Sequence, residues 1–268
     1  NGFVRIGRLV YRAFLERLNE FSNQYEISYI NDLADIDSNI HLLKYDTIHG
    51  PLNKEINKIS NEQFSIGKNT VTVTSERNPI DLKWKDKNVD IILECTGVFA
   101  SKEKAMSHIE SGASKVIVSA PCSGADITVV QGVNNENINI DHQIISNASC
   151  TTNCLAPVAF VIDKEFEIEN GYMTTIHSFT GDQNTVDTFH KDLRRARAAS
   201  SNIIPTSTGA AKAVGLWAPQ DALKTATDQV RTNIKHIDFS SVLEAFLEPK
   251  KTPQEPPSED QIGTKWEL

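Results

Sequence analysis

Short apolar runs alternate with segments of helical periodicity over the first 166 residues of this 268-residue chain. The runs have the length and the β-branched content of strands, and turn-forming residues end them. Leu9, Val10, Phe14, Leu15 and Leu18 recur at the spacing of one helix face. Alternating strands and helices predict an α/β fold with a doubly wound, mostly parallel sheet. The predicted strands cover residues 27–30, 71–74, 89–95, 116–119 and 143–145, and the later predicted helices cover residues 38–45, 102–112 and 150–166.

The start of the chain matches most of a dinucleotide-binding fingerprint. Gly2-x-Val4-x-x-Gly7 has two of the glycines of the Gly-x-Gly-x-x-Gly turn of Rossmann-type sheets. Asp32 ends a predicted strand, where a carboxylate binds ribose hydroxyls and repels a 2′-phosphate, which favours NAD over NADP. The alternative for Asp32 is a turn or helix cap. Val4 replaces the middle glycine. A β-branched side chain there resists unusual backbone angles and obstructs the close approach to the pyrophosphate, so we predict weaker NAD binding.

Residues 146–157, with the sequence SNASCTTNCLAP, put Cys150 where a predicted strand gives way to a predicted helix. Unpaired amides and the helix dipole favour the thiolate at a helix N-terminus, and a thiolate is the nucleophile of covalent catalysis. The alternative is a buried cysteine that only packs. We favour packing for Cys154, one helical turn later.

This segment resembles the active-site segment of the glyceraldehyde-3-phosphate dehydrogenase family, in its phosphorylating, bacterial type. Residues 173–180 alternate like a strand and resemble the family's histidine segment, with His177 in the place of the catalytic base. A histidine by itself is more often structural or superficial, but a cysteine with a distant histidine is the minimum set for thiolate chemistry. The likeness continues through residues 190–199 and 203–215, and it ends at about Gly215.

The resemblance implies a reaction and its residues. It implies NAD-dependent oxidative phosphorylation of glyceraldehyde 3-phosphate to 1,3-bisphosphoglycerate, through a thioester on Cys150 with His177 as the base. It implies a homotetramer that takes a phosphorylated aldehyde and inorganic phosphate. A basic cluster at residues 194–197 resembles a family loop near these sites, although a solvated surface is the alternative. The implied cofactor residues are Gly2, Arg5, Ile6, Gly7, Asp32, Arg77, Thr96, Gly97 and Ser119. The implied anion-binding residues are Ser149, Thr151, Thr208 and Gly209 in one pocket, and Thr180 with Arg231 in the other.

Arg231 is the weakest of these assignments, because its flanking residues do not match the family. A surface arginine in an unrelated segment is an equally good interpretation. We divide the chain into an NAD-binding domain at residues 1–148, the start of a partial α+β catalytic domain at 149–215, a divergent segment at 216–248 and a disordered, proline-rich tail at 249–268. We also expect the first strand of the sheet to be missing before Asn1.

Composition narrows the class further. Hydrophobic residues make up 39% and charged residues 23%, which is typical of a soluble globular protein. The net charge of −8 does not favour nucleic-acid binding. The four cysteines, at 95, 122, 150 and 154, lack metal-ligand spacing with histidine and predict neither a metal site nor disulfides, which suggests a reducing cytoplasm. No apolar stretch is long enough to cross a membrane.

Two alternatives to this enzyme remain open. The first is an erythrose-4-phosphate dehydrogenase, a close relative with the same chemistry; residues 190–197 favour the glycolytic enzyme. The second is a non-catalytic remnant that binds nucleotide or associates with intact subunits. The expected loss of the first strand, Val4 and the divergent end favour the remnant, with weak activity at most.

Overall fold

The computed structural model describes residues 1–17, 25–168, 171 and 173–210. Four helices lie in these ranges: α1 (Arg5–Glu16), α2 (Ile36–Lys44), α3 (Lys102–Glu110) and α4 (Cys150–Phe166). The strands are β1 (Tyr29–Asn31), β2 (Tyr45–Asp46), β3 (Gly50–Pro51), β4 (Ile56–Lys58), β5 (Gln63–Ile66), β6 (Asn69–Thr74), β7 (Ile91–Glu94), β8 (Lys115–Val118), β9 (Ile127–Thr128) and β10 (Ile144–Ser146). Short 3₁₀ helices cover Pro79–Leu82, Trp84–Lys87 and Asn135–Asn137.

The strands form two four-stranded sheets and a small hairpin. The first sheet has the order β1-β6-β5-β4, with β1 and β6 parallel and the remaining neighbours antiparallel. The second sheet has the order β7-β8-β10-β9 and is parallel throughout. β2 and β3 make the hairpin. α2 lies in the connection from β1 to β6, and α3 connects the parallel strands β7 and β8.

Residues 1–3 lie between the two sheets and bind both. The Gly2 amide donates to the Asn31 carbonyl of β1 at 2.8 Å, and the Cys95 amide donates to the Asn1 carbonyl at 2.8 Å. From here α1 leads to β1 on one side, while β7 lies on the other. The winding of the sheet therefore changes direction at this point, beside the carboxyl ends of β1 and β7, where α/β sheets bind their ligands.

Two apolar cores support this edge of the sheet. Phe3, Tyr11, Leu43 and Phe64 belong to the first core, which joins α1 and α2 to the first sheet. The second core contains Trp84 and joins α3 to the second sheet. Burying each large apolar side chain contributes roughly 1.5–3 kcal/mol. The two cores therefore hold the glycine-containing turn from both sides.

A buried arginine fixes the direction of α1. The Arg12 guanidinium donates to the carbonyls of Leu43, Lys44 and Gly50 at 2.8–3.1 Å. Two of these carbonyls lie at the end of α2, where helix carbonyls lack partners within the helix. Arg12 thus ties α1 to the end of α2 and to the hairpin.

The α/β class with a doubly wound, mostly parallel sheet is confirmed, and α4 has the predicted bounds. The predicted strand at residues 173–180 is wrong, because residues 173–208 contain turns and bends but no helix or strand. Strands form only where a neighbour completes their hydrogen bonds, and none of the described strands pairs with this segment. Leu18 and residues 216–268 lie outside the described residues. Within the described part, no helix has the length and apolarity needed to span a bilayer.

Candidate active site

Cys150 and His177 lie in contact although 27 residues separate them. Cys150 Sγ is 3.1 Å from His177 Nε2. The other ring nitrogen, Nδ1, is 2.6 Å from the Ser178 carbonyl oxygen. A carbonyl can only accept, so Nδ1 carries a proton and Nε2 is the nitrogen that exchanges a proton with sulfur. The structure therefore brings the predicted nucleophile and base together, with Nε2 of the histidine facing sulfur.

The turn before α4 fixes the position of Cys150. Ser149 caps the helix, with its hydroxyl oxygen accepting from the Thr152 amide at 3.0 Å. Ala148 has φ +57°, a left-handed conformation that non-glycine residues adopt rarely and often near functional sites. The buried Ser146 hydroxyl supports this turn, since it accepts from the Ala148 amide at 3.2 Å and donates to the Ala120 carbonyl at 3.0 Å. Cys150 thus begins α4, with its thiol at the positive end of the helix.

The electrostatics of the pair favour a thiolate with an imidazolium. Partial burial raises the pKa of Cys150, but the hydrogen bond and charge of His177, helped by the Thr151 amide, outweigh it and lower that pKa. The hydrogen bond to the Ser178 carbonyl raises the pKa of His177, and Cys150 raises it further. Both shifts favour a proton on nitrogen over one on sulfur, which is the direction that makes a thiol more reactive.

The other cysteines have different surroundings. Cys95 and Cys122 are buried, and burial raises the pKa of each thiol. Cys154 is exposed, so the expectation that it packs is wrong. It lies four residues after Cys150 and therefore on the same face of α4. The described residues do not cover that face at Cys154.

The two glycines of the fingerprint have steric reasons to be glycine. Gly2 has φ +82°, and a Cβ there would lie 2.7 Å from the backbone nitrogen of Thr96. A Cβ at Gly7 would overlap the Gly2 carbonyl oxygen. The turn can therefore pass close to β7 and to the start of α1 only without side chains, as a dinucleotide-binding turn requires.

Asp32 faces the same turn. Its Oδ2 accepts from the Phe3 amide at 2.7 Å, and its Oδ1 accepts from the Ala34 amide at 2.9 Å. The carboxylate thus caps local turns, as the alternative interpretation suggested, and is also held at the carboxyl end of β1. Each oxygen retains a lone pair for another donor.

Val4 has ordinary backbone angles. Its φ of −66° and ψ of −175° are extended values that a β-branched residue adopts without strain. Val4 is the N-cap of α1, and this position is extended in most helices whatever the residue. The side chain is 45% exposed. Obstruction of the pyrophosphate by that side chain stays a prediction.

The remaining predicted cofactor residues lie near the same edge of the sheet. Arg5 and Ile6 are exposed in the first turn of α1, and the Arg5 guanidinium pairs with Asp46 at 2.6 Å. Thr96 and Gly97 follow β7, and Gly97 has φ +75°. The Ser119 amide, after β8, donates to the Glu94 carbonyl at 2.9 Å. Arg77, three residues after β6, is exposed.

The predicted anion-binding residues are only partly assembled. Ser149 and Thr151 flank Cys150. The Thr180 amide donates to Gln183 Oε1 at 3.0 Å, and the Thr208 hydroxyl accepts from the Ala210 amide at 3.2 Å. The hydrogen bonds of the described residues do not join Thr180, Thr208 or Gly209 to Cys150. Arg231 lies outside the described residues.

The basic cluster at residues 194–197 is paired with aspartates. Arg194 pairs with Asp192 at 2.8 Å and Arg197 with Asp187 at 2.9 Å. Arg195 pairs with Asp182 and also donates to the Thr206 hydroxyl at 2.7 Å. The Arg195 and Arg197 pairs join separate parts of the segment that follows His177, whereas the Arg194 pair is local. Arg194 and Arg197 remain exposed, as the alternative of a solvated surface expects.

We call the edge formed by residues 1–3 and the carboxyl ends of β1 and β7 the cofactor edge. Sequence reasoning missed two buried residues beside it, Glu94 and His108. Both side chains are 0% exposed, with His108 Nε2 3.1 Å from Glu94 Oε2. The signal in the sequence was a glutamate inside an otherwise apolar strand, since glutamate is almost never fully buried unless it is paired. Among the described residues no group of histidine, cysteine and carboxylate side chains is arranged to bind a metal ion.

Comparison with known proteins identifies relatives for most of the chain. Residues 1–102 match the family model described as the NAD-binding domain of glyceraldehyde 3-phosphate dehydrogenase, and residues 149–250 match the model of its C-terminal domain. The second match continues past Gly215, so the family likeness extends further than the sequence motifs indicated.

Individual relatives carry the same printed name, glyceraldehyde-3-phosphate dehydrogenase. A relative from Xanthobacter flavus is 50% identical over 245 residues, which cover 90% of this chain and 72% of the relative. A relative from Cereibacter sphaeroides is 49% identical over 242 residues, with 90% and 70% covered. One from Pseudomonas aeruginosa is 48% identical over 239 residues, with 89% and 71% covered.

Proposed function

Because this chain belongs to the glyceraldehyde-3-phosphate dehydrogenase family, we propose that it converts glyceraldehyde 3-phosphate to 1,3-bisphosphoglycerate with NAD and inorganic phosphate. Membership makes it an NAD-dependent glycolytic oxidoreductase. The finer assignment depends on one observation, the 3.1 Å contact between Cys150 Sγ and His177 Nε2. That contact supplies a thiolate and a proton carrier in one place.

The proposed chemistry follows from the protonation state of this pair. The Cys150 thiolate attacks the aldehyde carbon, and the His177 imidazolium gives its proton to the developing alkoxide, which yields a hemithioacetal. His177, now neutral, takes the hydroxyl proton back as the carbon is oxidised to a thioester. Bound NAD supplies the acceptor for the hydride. Inorganic phosphate then attacks the thioester carbonyl, and Cys150 leaves as a thiolate stabilised by the His177 imidazolium.

The cofactor edge fits NAD on the evidence of its own residues. A Cβ at Gly2 would collide with Thr96, and a Cβ at Gly7 would collide with the Gly2 carbonyl, so the turn has the tight backbone typical of a pyrophosphate-binding turn. Asp32 retains free lone pairs for ribose hydroxyls, and its charge opposes a 2′-phosphate. Arg5, Ile6, Arg77, Thr96, Gly97 and Ser119 surround this turn in our assignment.

We assign the substrate phosphate and the attacking phosphate to two anion pockets. Ser149 and Thr151 lie beside Cys150 at the N-terminus of α4, where backbone amides attract anions. Thr208 and Gly209 complete that pocket in our proposal, and Thr180 with Arg231 forms the other. We also propose a homotetramer, which size-exclusion chromatography with light scattering would test.

The activity is tested by following NADH formation on purified protein with glyceraldehyde 3-phosphate, with and without phosphate. We expect turnover that requires both NAD and phosphate and that Cys150→Ser abolishes. Cys154→Ser is the matched control, because it removes an exposed thiol from the same face of α4 and should retain activity. Erythrose 4-phosphate, tested alongside, should give a lower kcat/KM; a higher value would favour the related dehydrogenase. Absence of turnover in folded wild-type protein that binds NAD would contradict the proposal.

A further inference from the structure

The Glu94 carboxylate is fully buried at the end of β7 and accepts four hydrogen bonds. Oε1 accepts from the Thr96 amide at 2.7 Å and from the Thr96 hydroxyl, while Oε2 accepts from Asn1 Nδ2 at 2.6 Å and faces His108 Nε2 at 3.1 Å. A buried charge is costly unless such bonds compensate for lost water. Burial raises the pKa of Glu94, but these hydrogen bonds outweigh it and lower that pKa, so the group is an anion.

Trp84 determines which ring nitrogen of His108 carries the proton. The indole N–H of Trp84 lies 3.1 Å from His108 Nδ1, and an indole nitrogen can only donate. Nδ1 must therefore be the bare nitrogen, and Nε2 carries the proton and donates to Glu94. His108 is a neutral donor held in one tautomer, buried between Trp84 and the carboxylate.

The hydrogen bonds continue from Glu94 across the sheet to β1. Asn1 Oδ1 accepts from Asn31 Nδ2 at 2.7 Å, and Asn31 Nδ2 also donates to the Glu76 carbonyl at 2.9 Å. Asn31 Oδ1 accepts from the Glu76 amide at 2.8 Å. Each of these residues directly precedes one that we assign to the cofactor, namely Gly2, Asp32 and Arg77.

We propose that Glu94 is a positioning residue for NAD, which holds Thr96 directly and joins the two sides of the cofactor edge through Asn1 and Asn31. This inference rests on the proposed function. The Thr96 hydroxyl gives its only proton to Glu94 and accepts from the Val98 amide at 3.0 Å. Thr96 therefore presents its remaining lone pair to a hydroxyl or amide donor of the cofactor. Without Glu94 the hydroxyl is free to rotate, and that orientation is lost.

Glu94→Gln tests this because an amide cannot satisfy the site in either orientation. With its NH₂ at the Oε1 position, the amide faces the backbone N–H of Thr96, which cannot change. With its NH₂ at the Oε2 position, it faces His108 Nε2–H, and reversing that tautomer would set Nδ1–H against the Trp84 indole N–H. One buried donor stays unpaired, so we expect the Kd for NAD to rise at least about tenfold.

The experiment measures the Kd for NAD by calorimetry, together with thermal unfolding of the unliganded protein, for Glu94→Gln, Thr96→Val and the double variant. If Glu94 acts through the Thr96 hydroxyl, the double variant binds NAD about as weakly as the weaker single variant. Asn134→Ala is the matched control. It removes a buried amide of the second sheet that bonds Val130 and Thr128, and it should lower stability while leaving the Kd unchanged.

The outcomes separate this inference from the proposed function. An unchanged Kd for NAD in folded Glu94→Gln overturns the positioning role and leaves the proposed activity intact. So does a double variant in which the losses of binding free energy from Glu94→Gln and Thr96→Val simply add. Failure of the wild-type protein to bind NAD overturns both. If Glu94→Gln does not fold, Asn1→Ala is measured instead. It removes the side chain that donates to Glu94 and accepts from Asn31, and it should weaken NAD binding severalfold; an unchanged Kd there contradicts the inference.

Discussion

The reactivity of Cys150 results from opposing local effects of known direction. Burial disfavours the thiolate, whereas the hydrogen bond and charge of His177 and the Thr151 amide favour it. Because burial would remain if His177 were removed, the pKa of Cys150 should then rise. His177 is therefore the largest of the effects that lower the pKa of Cys150, ahead of the Thr151 amide at the helix N-terminus.

Alkylation by limiting iodoacetamide measures this directly. Cys150 should be labelled first of the four cysteines at neutral pH, since its pKa is lowered while those of Cys95 and Cys122 are raised. In His177→Asn the alkylation rate of Cys150, measured as a function of pH, should begin to rise at a higher pH than in the wild-type protein. Peptide mapping by mass spectrometry of the wild-type protein identifies which of the four cysteines is labelled first, and an unchanged rate in Cys154→Ser confirms that the labelled thiol is not Cys154. Labelling of Cys95 or Cys122 before Cys150 would show that the pair is not formed in solution.

Substitutions of Val4 by smaller residues test whether its side chain obstructs NAD at the turn formed by residues 2–7. Its extended backbone angles suit any residue, so replacement should not relieve strain. Val4→Gly should nevertheless lower the Kd for NAD by removing a branched side chain from the N-terminus of α1, and Val4→Ala should lie between the two. Calorimetric titration of all three proteins gives the series. Equal Kd values would mean that the valine side chain does not approach the cofactor.

Individual residues were predictable to different extents. Cys150 and His177 stand in distinctive sequence contexts, and their contact follows from a likeness that covers both segments. Glu94 and His108 have no local motif, since their roles depend on a contact between a strand and a helix. The exposure of Cys154 was also not predictable, because it depends on what covers one face of α4.

The turn between β10 and α4 is the element that fixes the position of Cys150. Ser149→Ala removes the hydroxyl that caps α4, and such a loss costs about 1 kcal/mol. The thermal midpoint should fall by a few degrees, and Cys150 should alkylate more slowly because the first helical turn frays. Ser101→Ala is the control, since it removes the equivalent cap of α3 far along the chain from Cys150. It should lower the midpoint and leave alkylation unchanged; slower alkylation in both variants would indicate a general loss of stability.

Elements formed by local signals were predicted well, and elements that need distant partners were not. The helix at residues 150–166 has a capping serine and a sustained apolar pattern, and both are readable in sequence. The alternation at residues 173–180 was read as a strand, yet Ile176 is 99% exposed and no described strand lies beside it. An alternating pattern predicts a strand correctly only when a neighbouring strand and an apolar core are present to stabilise it.

At the scale of the whole molecule, the cofactor edge lies where two sheets with separate cores meet. Residues 1–3 bind β1 on one side and the end of β7 on the other, and Asp32 holds the Phe3 amide. A ligand that contacts both sides should therefore stabilise the two sheets together. Binding to the folded state alone contributes RT ln(1 + [L]/Kd), which is about 2.7 kcal/mol at a hundredfold excess over Kd.

We expect NAD to raise the thermal midpoint of the wild-type protein in a concentration-dependent manner, and NADP to raise it much less at equal concentration. The charge of Asp32 opposes a 2′-phosphate, so Asp32→Asn should lose most of the NAD shift and reduce the discrimination between the two cofactors. Replacing this carboxylate also disturbs the amides of Phe3 and Ala34, which lowers the unliganded midpoint. For each protein, the quantity to compare is therefore the difference between its thermal midpoints with and without the cofactor. Equal shifts from NAD and NADP in the wild-type protein would mean that Asp32 serves only the turn and does not select the cofactor.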